Sequence, residues 1–248
     1  MSLKPCIALT IAGSDSGGGA GIQADLRTFA FQKVHGTSAI TCVTAQNTVG
    51  VTDVVALSPE QVVAQIEAVT SDIGVQAVKT GMLLNEGIMA SVAEQAAAGK
   101  LPNLVVDPVM VSRAGVKLID DAAIACLRGK LVPKAKVLTP NRYEAQILSG
   151  KSIETLADME AAALDILALG CESVLVKGGG MSGDLQGVDV WFDGDRLEVL
   201  RTQTVDTPHT HGTGCTLSAA ITAHLALGKE PFEAVKAAKK ICHRSAEI

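Results

Sequence analysis

The run Cys6-Ile7-Ala8-Leu9-Thr10-Ile11-Ala12-Gly13-Ser14-Asp15-Ser16-Gly17-Gly18-Gly19-Ala20-Gly21-Ile22-Gln23-Ala24-Asp25 decides the fold class. Seven apolar-type residues, Cys6 to Ala12, read as one buried strand and are too few to cross a membrane. Five glycines among the nine residues Gly13 to Gly21 follow, a loop whose backbone can approach a ligand closely. An amphipathic stretch, Ala20–Lys33, then reads as a helix with Asp25 in its first turns. Strand, glycine loop and helix form the opening of an α/β unit, whose ligands sit at the carboxyl edge of the sheet.

The same alternation continues outward. Strands are expected at Ser38–Val43, Val75–Lys79, Leu104–Asp107, Val137–Thr139 and Ser173–Lys177. Helices are expected at Pro59–Ile73, Asn85–Ala98, Asp120–Leu131, Arg142–Leu148 and Asp158–Leu169. Apolar strands separated by helices predict an α/β fold with a mostly parallel central sheet and helices on both faces. Val51–Leu57 reads as an added edge strand. Val188–Phe192 and Leu197–Thr202 flank Asp193-Gly194, a hairpin signal. An irregular stretch, Gln203–His211, precedes two closing helices, Gly214–Leu227 and Pro231–Arg244. Neither a repeat nor a low-complexity linker interrupts the chain, so residues 1–248 read as one domain.

Composition excludes several functions. Lys and Arg total 21 against 26 Asp and Glu, a net charge of −5, and aromatics are only 2 %. Neither a basic footprint nor a stacking platform for nucleic acid is present. The six cysteines are scattered without a C-x-x-C pair and read as free thiols of a reducing compartment. Without a secretory leader, the expectation is a cytoplasmic protein with no membrane partner. The longest stretch lacking Asp, Glu, Lys and Arg, Val34–Thr52, is too rich in Thr, Ser, Gln and Asn for a membrane helix.

Some motifs fail on context. Gly19-Ala20-Gly21-Ile22-Gln23-Ala24 fits the dinucleotide pattern, but the next strand runs into Thr44-Ala45-Gln46-Asn47 with no acid for a ribose. Gly150-Lys151-Ser152 mimics a P-loop ending, yet nothing strand-like precedes it. His209 and His211 lack partners at zinc spacing.

Other constellations carry chemistry. Thr207-Pro208-His209-Thr210-His211-Gly212-Thr213-Gly214-Cys215 opens an Ala-rich helix, where unpaired amides make an anion site. Cys215 falls in the first turn, where the helix dipole is expected to lower its pKa. Lys177-Gly178-Gly179-Gly180 places a cation before a compliant loop. Asn141 and Glu144, three apart on one expected helical face, suit a magnesium-bound water shell. Asp107 ends a strand with a carboxylate. Together these point to phosphoryl transfer by positioning and electrostatics.

On these residues the chain resembles the ribokinase-like kinases, within them the hydroxymethylpyrimidine/phosphomethylpyrimidine kinases of thiamine biosynthesis. The resemblance spans the glycine loop, Thr44-Ala45-Gln46-Asn47-Thr48, Lys79-Thr80-Gly81-Met82, Asp107-Pro108-Val109-Met110, Val176-Lys177-Gly178-Gly179 and the motif at 207–215. It implies the ribokinase-like three-layer fold, ATP and Mg2+ as cofactors, and two successive phosphorylations, of the hydroxymethyl group and then of the monophosphate. It implies that Gly13, Ala20, Asp25, Gln46, Met82 and Val109 bind the pyrimidine. Asp107, Asn141, Lys177, Gly179 and Thr213 would bind nucleotide, and Glu144 with Asn141 the metal through water. Gly212, Thr213 and Gly214 would form the anion hole with Lys177. Cys215 stands where most relatives of the fold carry an aspartate base.

Pyridoxal kinase is the alternative within the family. Members that trap the aldehyde carry a second cysteine just after Asp-Pro-Val-Met-Val. Ser112 stands there in this chain, which also retains Gln46, and both features favour the pyrimidine. A non-catalytic pyrimidine-binding protein would lack the anion loop, Lys177 or Cys215, and all are present. By analogy with the family, a homo-oligomer, with a dimer favoured, is expected across an exposed edge strand. The final helical pattern runs to Ile248 without a breaker, and the family's Gly- and His-rich tail is expected to be missing.

Overall fold

The structure, a computed structural model, describes residues 5–47, 49–110, 118–202 and 212–245, with side chains through 241. Ser112 and the Thr207–His211 part of the second glycine motif lie outside the described residues. One nine-stranded sheet runs through the molecule in the order β3-β2-β1-β4-β5-β6-β7-β8-β9. The strands are β1 (Ile7–Asp15), β2 (His35–Gln46), β3 (Val51–Ala56), β4 (Ala77–Thr80), β5 (Leu104–Val106), β6 (Val137–Leu138), β7 (Val174–Val176), β8 (Val188–Phe192) and β9 (Leu197–Arg201). Strands β2, β1, β4, β5, β6 and β7 pair in parallel. At the edges β3 pairs antiparallel with β2, and β8 and β9 form the expected hairpin beside β7.

The helices are α1 (Gly21–Phe31), α2 (Pro59–Ala68), α3 (Glu86–Ala97), α4 (Asp121–Cys126), α5 (Arg142–Ser149), α6 (Leu156–Leu167), α7 (Thr213–Ala226) and α8 (Pro231–Ser245). Two expected helices change form before they end. α2 passes into a π turn at Val69–Ile73, and α4 into one at Leu127–Leu131. α6 begins two residues earlier than its apolar pattern, because the Thr155 side chain and Asp158 cap each other's backbone amides.

Alternation inside the apolar strands sorts the core into two layers. Leu9, Ile11, Val78, Val106, Val174 and Val176 pack on one face with Ile66, Ile88 and Met159. Their neighbours Ala8, Ala77, Val105 and Leu175 pack on the other with Phe29 of α1, Ile221 of α7 and Val235 of α8. The sheet is thus covered on both sides, as a parallel sheet must be. The chain reverses direction across the sheet at β1, which has β2 on one side and β4 on the other. Ligands of open α/β sheets bind at such a switch point.

Candidate active site

The carboxyl ends of β1 and β4 frame the site. β1 continues past its apolar run to Asp15 because pairing with β2 resumes after an irregularity between Ala12 and Ser14. At that irregularity a side chain on Gly13 would collide with the Cys42 sulfur at 2.7 Å and crowd the Met82 methyl at 3.0 Å. Gly13 and Met82, both expected in the pyrimidine pocket, are therefore neighbours. The Asp15 carboxylate accepts hydrogen bonds from the amides of Gly17 and Ala20, each at 2.8 Å, and so folds the glycine loop back on itself. Gln46 sits beside this loop. Its amide donates to Ser16 Oγ at 2.8 Å, and Thr44 Oγ1 lies 3.4 Å from its Oε1. Val109 is half-buried one residue beyond the Asp107-Pro108 turn.

The two glycine motifs meet. Gly212 caps α7 at φ 82°, and a Cβ there would strike the Gly19 carbonyl. Gly21 has φ 58° and faces the Gly13 carbonyl with the same lack of room. Only glycine fits either position. Across this junction the Gly21 backbone favours the ionised form of Cys215. The first turn of α7, with Thr213 exposed and Cys215 half-buried, thus abuts the first loop.

Beneath lies a buried polar layer. Lys79 and Asp25 are fully buried, with Nζ 2.8 Å from both carboxylate oxygens, and Thr10 Oγ1 donates to Asp25 at 2.6 Å. Both oxygens of Asp25, a residue expected to touch the pyrimidine, are thus engaged by Lys79 and Thr10. Asp25 faces inward because its helical position points at the sheet face that carries Thr10 and Lys79. Burial alone would disfavour the Lys79 ammonium. The Asp25 carboxylate, then the Cys215 sulfur and Asp107, more than reverse this and hold its pKa above the ordinary lysine value.

Asp107 is a second buried hub. It accepts from Lys177 Nζ at 3.1 Å, Ser218 Oγ at 3.0 Å and Thr139 Oγ1 at 3.3 Å. These bonds engage both of its oxygens and tie it to Lys177. Lys177 retains 12 % side-chain exposure. Its ammonium lies 3.5 Å from where a Cβ on Gly214 would be, at the start of α7. Burial lowers the Lys177 pKa, but Asp107, Glu144 and Cys215 raise it further, and the group stays charged. Gly179 is exposed just beyond.

Asn141 and Glu144 do not share an outward helical face. They form a reciprocal cap on α5, with the Glu144 amide donating to Asn141 Oδ1 at 3.0 Å and the Asn141 amide to Glu144 Oε2 at 2.8 Å. Glu144 Oε1 also accepts from the Met110 amide at 3.3 Å, and the residue is only 2 % exposed. Burial pushes its carboxyl up to about 8, against the pull of Lys177. The expected low pKa of Cys215 is also corrected. Burial raises it; Lys79 and the Gly21 amide oppose this, while Asp25 and Asp107 add to it.

Sequence reading missed Lys79, Thr10, Thr139 and Ser218 as members of the site. The signal for Lys79 was present: a lysine closing the apolar run Val75–Lys79 has to find a counter-charge.

Among the described residues no group of three or more His, Cys, Asp or Glu could hold a metal, and no helix is long and apolar enough to cross a membrane. A glycine cradle at the switch point, opposed to a lysine beside a helix N-terminus, defines an α/β phosphotransferase. The phosphomethylpyrimidine kinase profile matches residues 15–247, and the chain belongs to that family. The hydroxymethylpyrimidine/phosphomethylpyrimidine kinase of Synechococcus elongatus is 62 % identical over 233 residues, 94 % of this chain and 88 % of that protein. The crystal structure of phosphomethylpyrimidine kinase from Clostridium difficile superposes with a TM-score of 0.87 at 42 % identity, covering 97 % of this chain and 99 % of that one. The pyridoxal kinase of Staphylococcus aureus, in complex with AMP-PCP and pyridoxal, has a TM-score of 0.87 at 38 % identity, covering 96 % and 86 %. The ribokinase-like fold class and the kinase activity expected from sequence both hold.

Proposed function

We propose that the protein transfers the γ-phosphoryl group of ATP to the hydroxymethyl oxygen of 4-amino-5-hydroxymethyl-2-methylpyrimidine, and that of a second ATP to the resulting monophosphate, for thiamine biosynthesis. The observation that carries this is the junction of the two glycine motifs. Gly212, at the start of α7, lies directly against the Gly19 carbonyl and puts the pyrimidine-side loop beside the anion-binding turn. An acceptor held by Gly13, Ala20, Gln46, Met82 and Val109 then lies beside the amides of Gly212, Thr213 and Gly214. Lys177, fixed by Asp107, faces the same turn and neutralises charge as it develops on the transferred group.

Cys215 is the group nearest to serve the acceptor hydroxyl. With its pKa raised, it rests mostly as the thiol, and its thiolate form takes the hydroxyl proton as the oxygen attacks. The second acceptor, already anionic, does not need it. Magnesium, when bound with the nucleotide, would offset charge on the phosphate oxygens. The residues fit a hydrated ion rather than direct ligation, since the oxygens of Asp107 and Glu144 already accept protein donors. Asn141 and Glu144 would order its water shell, and Gly179 and Thr213 would meet the nucleotide.

The continuous sheet supports reading residues 1–248 as one kinase domain. The homodimer expected from the family has its natural seam at β3, whose Val51, Val54 and Val55 are exposed. Retention of Gln46 favours pyrimidine over pyridoxal. The test is ADP production with magnesium-ATP and either acceptor: kcat/KM higher for the pyrimidine is expected, and a preference for pyridoxal would overturn the assignment.

A further inference from the structure

The loop that follows Lys177 closes on itself and is pinned from behind. Gly187 donates its amide to the Gly178 carbonyl at 3.4 Å, as does Met181 at 2.9 Å, so residues 178–187 leave and re-enter at one point. The Gly178 amide donates to Asp189 Oδ1 on β8 at 2.9 Å. A Cβ on Gly178 would strike the Val188 carbonyl, so the loop base lies flat against β8 with no clearance. The other oxygen of Asp189 is gripped by Lys239 of α8 in a close, buried ion pair. Lys239 also donates to the Leu200 carbonyl of β9 at 3.2 Å and reaches the Gly187 carbonyl at 3.5 Å.

One ammonium therefore ties the last helix to both strands of the hairpin and to both ends of the loop. No atom of Asp189 or Lys239 is placed in the machinery described above. Yet the carboxylate they share sets the backbone next to Lys177, whose amide in turn donates to the Pro140 carbonyl at 2.8 Å. Lys177 is thus held on one side through Pro140 and Asp107, and on the other through Gly178. A buried carboxylate that lost its cation would be left uncompensated and would relax toward water, taking the Gly178 amide with it.

We propose that Asp189 and Lys239 are positioning residues for the nucleotide side of the reaction. They hold Gly178, and through it Lys177 and Gly179, in register with the phosphates of ATP. This rests on the reading of Lys177 and Gly179 as nucleotide-facing. The experiment measures KM for ATP and for the acceptor, together with direct binding of a non-hydrolysable ATP analogue. Lys239→Met is expected to weaken ATP in both measurements by about 10-fold, because a small misplacement of a binding group carries such a cost. The acceptor KM should stay within about twofold, and Lys239→Arg, which keeps the charge, should restore ATP toward wild type. If Lys239→Met does not fold, Asp189→Asn is measured instead. It keeps an oxygen for the Gly178 amide but loosens the cation, and should shift ATP in the same direction.

A lowered melting temperature with ATP parameters unchanged would overturn the proposal, leaving the pair as a structural tie. Equal losses for ATP and acceptor would overturn it as well. A wrong acceptor assignment reads differently: wild type then turns over no pyrimidine, while the loss of ATP-analogue affinity in Lys239→Met persists and supports the positioning role.

Discussion

Lys79 is the residue whose removal the fold should tolerate least. Among the described residues, its ammonium alone donates to both oxygens of Asp25. Lys79→Met leaves that carboxylate buried with Thr10 alone and should cost about 3–5 kcal/mol in denaturant unfolding. Adding Asp25→Asn, which removes the stranded charge, should recover part of the loss. A single-variant loss under about 1 kcal/mol would show that water reaches Asp25. Cys215 calls for a kinetic test. Cys215→Ala should lower kcat for the unphosphorylated alcohol by about 10²- to 10⁴-fold and harm the monophosphate step far less. Because burial raises the thiol pKa, the wild-type rate of the first step should climb with pH above neutrality, and the alanine variant should lose that climb. Equal losses in both steps would remove Cys215 from proton transfer.

Among the elements, the junction of the glycine loop with the start of α7 is the least forgiving. Gly212 stands at φ 82° with the Gly19 carbonyl against its missing side chain. Gly212→Ala should add about 1–2 kcal/mol of left-handed strain, before any clash, to the closed junction. Activity should fall for both phosphorylations, since both use the same anion-binding turn. Retained kcat/KM in that variant would mean that the two loops separate freely. The order of elements was legible in the sequence because apolar strands and amphipathic helices differ in period and length. The capping of α5 was not. Asn141 and Glu144 at that spacing fit a metal shell and a reciprocal cap alike, and only the tertiary structure, which brings the Met110 amide to Glu144, shows that the cap is formed.

At the scale of the whole molecule, α7 runs through the core, and its central position sets an acid limit on stability. His224, 7 % exposed near its end, has no hydrogen-bond partner on either ring nitrogen among the described residues. Burial, and then the nearby Lys229, depress its pKa below 6.5. The unfolded chain therefore binds the proton first. Stability conferred by the neutral ring is fully present above the unfolded value and is lost as pH falls through the folded one. His224→Gln should flatten this loss in urea midpoints followed from about pH 7 down to about pH 5. An unchanged acid slope would place the limit elsewhere, in carboxylates such as those on the sheet's rim.

What the sequence determined by itself was the alternation of strand and helix, the two glycine loops, and the residues that terminate strands in Asp107 and Lys177. Those are local properties: period, punctuation and residue type. The tertiary structure alone decided which charges are free and which are bound. Nothing within Ala20–Lys33 reveals that Asp25 meets a lysine 54 positions away, or that Ser218 crosses 111 positions to Asp107. The physical reason is that a charge in an amphipathic pattern is indistinguishable from a solvated one until a neighbouring layer removes the water. Burial then forces it to pair, as Asp25 does with Lys79, and raises rather than lowers the pKa of Cys215.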